Sequence, residues 1–234
     1  MRMFAEVTKT WNPVVGCLHN CTYCWARKLA EGRLRHLPPY CFTGFAPKLI
    51  TYRLKEHFKS GLIFVSTMGD LWGEWIGRDT IEAVLDTVKE SPFATFLFLT
   101  KNPGRYLTFA GLPLNAIAGA TIETNHSYIW MRAPSPQARY EAMRRLKHPL
   151  KMLSIEPILD FDLDIMEQWV KDIAPAFIYI GYDNYGNNLP EPSLKKTKQL
   201  ITALKKFTSV RIKSLREGMP LQEPAQAAGE TGIK

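Results

Sequence analysis

Three of the chain's four cysteines lie within eight residues of one another, in the stretch GCLHNCTYCWAR (16–27). Cys17, Cys21 and Cys24 are spaced C-x3-C-x2-C, so one loop can turn three thiolates toward one metal centre. Such a loop suits a [4Fe-4S] cluster, because three irons take a thiolate each and the fourth stays open to a substrate or cofactor. The spacing therefore predicts an iron–sulfur cluster held by these three residues.

Two other interpretations of the loop remain open. A structural zinc ion needs four ligands, usually including a second Cys or His pair further along the chain, and the sequence offers no such pair. His19 would complete a zinc site only if the loop around it were contorted, and a chance grouping of cysteines is the third alternative. Cys41 stands apart among apolar and proline residues in PPYCF, and we predict that it is a small buried residue.

The composition limits the classes of protein to consider. The chain has 234 residues, a size that a single α/β domain commonly reaches, and its net charge of +8 suits an anionic partner without establishing one. No apolar run approaches the roughly 18 residues of a membrane span, and the start MRMFAEVTKTW has no signal-peptide pattern. We expect a cytoplasmic protein, in which clustered thiols indicate a metal or catalytic site rather than disulfides.

The elements that must position the cysteine loop follow from the apolar pattern. Short apolar runs alternate with longer amphipathic stretches, which indicates parallel βαβ units in an open sheet or partial barrel. The predicted strands are FAEVT (4–8), LIFVST (62–67), TFLFLT (95–100), AIAGATIET (116–124), KMLSIEP (151–157), AFIYIG (176–181) and SVRIKS (209–214), and the predicted helices are 80–89, 136–146, 164–173 and 193–207. We predict one domain over 1–217, with its chemistry at the carboxyl ends of the strands, and a flexible tail over 218–234.

The loop matches the radical SAM signature C-x3-C-x-aromatic-C residue for residue, with Tyr23 as the aromatic residue. The whole chain resembles an uncharacterised radical SAM-like family associated with bacteriophages, the phage protein Gp37/Gp68 family. The stretches that carry this resemblance are TWNPVVGC (10–17), STMGDLWGE (66–74), FLTKNPGR (98–105), LSIEPIL (153–159) and IYIGYDN (178–184). The resemblance implies an α/β fold of the radical SAM type, a parallel (β/α) partial barrel of six to seven strands.

The resemblance also implies the cofactor chemistry. SAM would bind the open iron, and an external electron donor of the flavodoxin or ferredoxin type would supply the electron that cleaves SAM to a 5′-deoxyadenosyl radical, which abstracts hydrogen from an unknown substrate. In the superfamily the second strand ends in a Gly-Gly-Glu-like segment that binds the methionyl amine. Met68, Gly69 and Asp70 hold that position, with Ser66 able to share the amine, although Asp70 also fits a helix cap or turn.

Two later strand ends and the aromatic residue of the loop carry further SAM contacts that the resemblance implies. Glu123 and Asn125 stand where the superfamily contacts the ribose and carboxylate of SAM, and their side chains suit hydroxyl and ammonium groups. Tyr23 would lie near the adenine, and the strand that contains Ile180 would pack on it. A plain polar loop over 123–127 is the alternative for the first pair.

Ser154 and Glu156 point to the same face of their strand, because side chains alternate along a strand. A glutamate in an otherwise apolar strand is costly to bury alone, so we expect Glu156 to face a polar cavity or a cation. The alternative is a structural ion pair, for which Lys213 is a candidate partner.

Two sets of residues bear on the substrate. Four tryptophans, Trp11, Trp25, Trp72 and Trp75, fall in or near the predicted loops and would stack a base or simply pack. Basic runs at 27–36, 144–148 and 195–198 would meet phosphates or form solvated helix faces. We predict a radical SAM enzyme with a nucleotide or nucleic-acid substrate; the alternative is a basic nucleic-acid-binding module with a structural zinc in the cysteine loop.

Overall fold

The computed structural model describes residues 4–128 and 131–218, and within them seven parallel strands form one sheet. The strands of the chain are β1 (Lys9–Trp11), β2 (Val14–Val15), β3 (Lys48–Leu49), β4 (Gly61–Val65), β5 (Ala94–Thr100), β6 (Ala116–Thr121), β7 (Lys151–Ile155), β8 (Phe177–Gly181) and β9 (Ser209–Ser214). The sheet order is β1-β4-β5-β6-β7-β8-β9, and β2 and β3 form a separate short antiparallel pair. The sheet curls into a half-barrel, which confirms the predicted fold class.

Four helices cover one face of this sheet, and two shorter ones pack in a separate apolar cluster with the cysteine loop. The helices are α1 (Trp25–Glu31), α2 (Tyr40–Thr43), α3 (Arg78–Lys89), α4 (Pro136–Arg145), α5 (Leu163–Ile173) and α6 (Leu194–Leu204), with 3-10 turns at Thr51–Lys55 and Pro103–Thr108. α3 buries Ile81, Val84, Leu85 and Val88, which recur at helical spacing and pack into the main apolar core against the strands. The predicted helices are thus confirmed to within a few residues at their ends.

The opposite face of the sheet, which we call the inner face, changes character along the strands. Near the amino ends of the strands, a second apolar cluster contains Phe64, Leu97 and Tyr179. Phe4 and Val7 cover this cluster, with the Phe4 ring centroid 4.3 Å from that of Tyr179. The carboxyl ends of the strands carry the polar residues instead, so the site must be sought at that edge.

The first predicted strand is the one that is wrong. Residues 4–8 form a turn rather than a strand, and the edge strand β1 begins at Lys9. Phe4 and Val7 fit the pattern of a strand because they are apolar. Their side chains are instead buried by covering the inner face, and the segment does not pair with β4. The single domain over 1–217 stays a prediction, and the predicted tail lies, apart from Gly218, outside the described residues. No helix in the described residues is long and apolar enough to cross a membrane.

Candidate cofactor site

The cysteine loop rests directly on the segment that follows β4. Gly16 has a φ of +80°, and its N–H donates to the carbonyl of Met68 at 2.8 Å. A Cβ on Gly16 would lie 2.2 Å from the carbonyl oxygen of Ala46, and a Cβ on Gly69 would lie 2.7 Å from that of Gly16. Two glycines at this crossing are therefore required for the loop to reach the carboxyl edge of the sheet.

The three loop thiols are reduced and partly sheltered. Cys21 is buried, whereas Cys17 and Cys24 are half-buried. The Cys24 thiol caps α1 by accepting the N–H of Arg27 at 3.4 Å, and the Cys17 thiol accepts the N–H of His19 at the same distance. Burial raises the pKa of Cys17 well above its usual range and that of Cys21 to about 11, so these two thiols are neutral unless a cation binds them. Among the described residues, no three His, Cys, Asp or Glu side chains are gathered as ligands of a metal ion.

Cys41 is exposed, which corrects the prediction that it is buried. It lies in α2, a single turn of helix whose buried residue is its neighbour Tyr40. One turn buries only the side chains that face inward, and Cys41 is turned to the other side. Its position makes it a suitable control for the loop cysteines.

Asp70 is buried and anchors the loop to two strand ends. Its carboxylate accepts the hydroxyl of Thr100 at 2.8 Å and the backbone N–H groups of Trp72 and Lys101 at 2.9 and 3.0 Å. The same carboxylate lies 3.0 Å from Nε2 of His19, inside the cysteine loop. A contact between Asp70 and SAM would have to replace one of these bonds, so the predicted contact stays a prediction.

Glu123 is also buried and is bonded on both carboxylate oxygens. Oε1 accepts from the hydroxyl of Tyr23 and from Nζ of Lys101, and Oε2 accepts from Nη1 of Arg139 at 2.6 Å. Burial alone would raise the pKa of Glu123, but Arg139 and Lys101 outweigh it and hold that pKa well below its usual range. The carboxylate is therefore ionised, and it ties the aromatic residue of the cysteine loop to the end of β6.

Lys101 and Arg139 are residues of this site that the sequence reasoning missed. Lys101 directly follows β5, so the rule that selects the carboxyl ends of strands would have found it. Arg139 is buried on α4 beside Tyr140, and it shares the helical spacing of Pro136 and Met143. An arginine at a core position of an amphipathic helix signals a buried anionic partner.

Two serine hydroxyls near the strand ends are buried without a hydrogen-bond partner in the described part of the chain. They belong to Ser66, which has a φ of +52°, and to Ser154, which is fully buried. The neighbouring Thr67 hydroxyl and Met68 N–H both donate to Oδ1 of Asn12 at 3.0 Å, so Asn12 shapes this segment. A buried hydroxyl without a partner is unfavourable, and a bound ligand would relieve it.

The remaining predicted SAM contacts are engaged within the chain. Asn125 exchanges two hydrogen bonds of 2.8 Å with Asp162 at the start of α5. Glu156 forms an ion pair of 2.7 Å with Lys213, which is the structural alternative that the sequence left open. The Ile180 side chain is buried in the helix-facing core, so it offers only its backbone to the inner face.

A cavity of about 130 Å³ opens beside Glu123 and Arg139. Its lining includes His126, Met131 and Leu159, and the last two pack in the same apolar cluster as Cys21 and Tyr23. His126 lies 3.0 Å from a carboxylate oxygen of Asp162. The cavity is thus continuous with the surroundings of the cysteine loop.

The tryptophans and basic runs divide into core and surface. Trp11 and Trp72 are fully buried, which excludes them as faces for a substrate, whereas Trp25 and Trp75 are half-buried. Along α6, Lys195, Lys198 and Lys206 line an open groove of about 600 Å³.

Comparisons with known proteins place the chain in a family and a fold. The family model described as "Protein of unknown function (DUF5131)" matches residues 4–173. No curated protein matches the chain. The resemblance to the phage-associated family is not confirmed by these comparisons.

Solved structures of spore photoproduct lyase share the fold. A mutant with bound AdoMet and dinucleoside spore photoproduct aligns with a TM-score of 0.51 at 10% identity, covering 85% of this chain and 61% of that one. A second mutant aligns with a TM-score of 0.51 at 11% identity and the same coverage. The chain therefore spans about 61% of the length of these structures, and at this identity the likeness concerns the fold.

Proposed function

We propose that this chain, which belongs to the family described as "Protein of unknown function (DUF5131)", is a radical SAM enzyme. The observation that carries the proposal is the position of the cysteine loop. It lies at the carboxyl edge of a parallel half-barrel, next to the segment that contains Ser66, whose hydroxyl has no partner in the described part of the chain. Spore photoproduct lyase, whose fold is similar, is a radical SAM enzyme, which supports the same assignment.

In this proposal Cys17, Cys21 and Cys24 would hold a [4Fe-4S] cluster, because each offers a thiolate ligand for one iron. When bound, the cluster would supply the electron that cleaves SAM to methionine and a 5′-deoxyadenosyl radical. The chemistry of the donors suits this group, since all three thiols are free and lie on one loop, but binding would have to draw them together. An external donor of the flavodoxin or ferredoxin type would reduce the cluster.

The chain's own residues would bind and orient SAM. Ser66 and Ser154 offer hydroxyls that lack a partner within the described residues. The backbone carbonyls of Met68 and Gly69 lie beside the loop, and that of Met68 already accepts the N–H of Gly16. The walls of the site would be formed by Tyr23, by the strand of Ile180 and by side chains that already make hydrogen bonds or ion pairs within the chain. Those side chains are Asp70, Glu123, Asn125 and Glu156. The bonds within the chain fix these walls before a ligand arrives, which reduces the entropic cost of binding.

We propose a nucleotide or nucleic acid as the substrate. The solved structure with the bound dinucleoside spore photoproduct belongs to a protein of similar fold, and the net charge of +8 suits a polyanion. The zinc-bearing nucleic-acid-binding module predicts the same partner without the cluster.

The metal content of anaerobically purified protein distinguishes these functions. Cys17→Ala, Cys21→Ala and Cys24→Ala should each remove the brown chromophore and most of the roughly four irons per chain. Cys41→Ala is the matched control and should stay brown, because its side chain is exposed on α2. Colourless wild-type protein with about one zinc per chain would favour the binding module, and bleaching by Cys41→Ala would refute the ligand assignment. With dithionite and SAM, the loaded wild type should also release 5′-deoxyadenosine.

A further inference from the structure

Four buried or nearly buried charges lie beneath the cysteine loop, and we call them the charge group. They are the carboxylates of Asp70 and Glu123 and the cations of Lys101 and Arg139. Glu123 and Arg139 are each 1% exposed, and the Lys101 side chain is 15% exposed, so little water screens them. The two positive and two negative charges balance, and the loss of any one of them would change the local net charge by one unit.

The charge group lies against the loop itself. Nζ of Lys101 is 5.1 Å from the centroid of the Tyr23 ring, and Tyr23 is the neighbour of Cys24 in the chain. Tyr23 packs in the same apolar cluster as Cys21 and donates its hydroxyl to Glu123. Asp70 contacts the loop through His19. In such an apolar setting, charges interact more strongly than they do in water.

We propose that the charge group sets the reduction potential of the cluster that the loop holds, and that Lys101 raises this potential. The inference rests on the proposed function and deepens it. Reduction adds an electron to the cluster, so a nearby fixed cation stabilises the reduced state and a nearby carboxylate destabilises it. Glu123 then has two effects, because it opposes Lys101 electrostatically and also holds Tyr23 in place.

The test is an anaerobic redox titration of the reconstituted protein, followed by the electron paramagnetic resonance signal of the reduced cluster. Lys101→Met should shift the potential downward, and Glu123→Gln should shift it upward. Lys101→Arg keeps the charge and should leave the potential close to that of the wild type. Lys89→Met, at an exposed lysine of α3 paired with Asp86, is the distant control and should not shift it.

The sign of the shifts separates an electrostatic role from a structural one. If the residues only hold the loop in shape, Lys101→Met and Glu123→Gln should both loosen it and shift the potential in the same direction. That result would overturn this inference but not the proposed function. Unchanged reduction potentials in variants that still contain the cluster would do the same. If Glu123→Gln does not fold, Lys101→Met compared with Lys101→Arg still decides, because only the former removes a charge. A wild-type chain that binds no cluster would overturn the proposed function and this inference with it.

Discussion

At the scale of single residues, substitutions of Ser66 and Ser154 distinguish a role in stability from a role in SAM binding. Their buried hydroxyls lack a partner within the described residues. Ser66→Ala and Ser154→Ala should leave the free energy of unfolding unchanged or slightly raised, because each removes an unsatisfied polar group. If the hydroxyls bind SAM, affinity should fall roughly 2- to 12-fold, since a neutral hydrogen bond contributes about 0.5–1.5 kcal/mol.

Urea unfolding and equilibrium binding of SAM to the cluster-loaded protein measure the two quantities. Ser209→Ala, at the exposed first residue of β9, is the control for both. Lower stability with unchanged SAM affinity would show that these hydroxyls belong to the fold rather than to the site.

Some residues of the site could be predicted from the sequence, and their bonding partners could not. The rule that chemistry gathers at the carboxyl ends of parallel strands correctly selected Asp70 and Glu123 as polar residues of this edge. It gave no information on their partners, because His19 and Arg139 lie far from them in the sequence and are joined to them by tertiary structure. A single sequence shows which residues end a strand, and only the fold shows which charges meet.

At the scale of elements, the crossing of the cysteine loop over the segment after β4 depends on two glycines. Gly16→Ala should destabilise the fold and lower the cluster content, because its φ is +80° and the new Cβ would lie 2.2 Å from a carbonyl oxygen. Gly69→Ala should act similarly, since its Cβ would lie 2.7 Å from the carbonyl oxygen of Gly16. We expect a loss of about 1–3 kcal/mol for each, measured by urea unfolding, together with fewer irons per chain.

Gly77→Ala is the matched control for this crossing. Gly77 caps α3 with a φ of −60°, and a Cβ there would meet nothing within 4 Å. The substitution should change the free energy of unfolding by less than about 1 kcal/mol, because alanine restricts the unfolded chain but is a poorer helix N-cap than glycine. If Gly16→Ala and Gly77→Ala behaved alike, the close approach would not be what seats the loop.

The elements themselves were predicted where one physical pattern dominates. Six strands and four helices follow from alternation and helical spacing, since each must bury a continuous apolar face against the sheet or its neighbours. The strand predicted over residues 4–8 is wrong, because a short apolar run does not reveal whether it pairs with a strand or covers a face of the sheet. The short pair of β2 and β3 was also missed, because two-residue strands carry no period.

At the scale of the whole molecule, the half-barrel separates an apolar end from a polar one. Phe4 and Val7 cover the inner face at the amino ends of the strands, and the cysteine loop covers the segment after β4 at the carboxyl ends. The polar end therefore lies between loops that can differ without changing the sheet. Because function depends on the loops and the surface rather than on the sheet, the likeness to other half-barrels establishes the fold, and the function must be sought in the loops and the surface charge.

The surface charge leads to the last prediction, which concerns the proposed binding of nucleic acid. A protein that contacts phosphates releases counterions, so log K for binding falls linearly with log salt, with a slope of about −0.9 per contact on duplex DNA.

Lys195 and Lys198 line the groove along α6, whereas Arg144 is already bonded to Glu141 on α4. For binding of a fluorescent DNA duplex, the slope should therefore become less negative by roughly 1.8, the value for two contacts, in the double variant Lys195→Glu, Lys198→Glu, and RNA oligonucleotides are measured in parallel. Charge reversal at Arg144 should change the slope less, and reversal at Lys89 should not change it. Equal effects of all these reversals would mean that general basicity, rather than a defined surface, attracts the nucleic acid, and the search for the substrate would then turn to small metabolites.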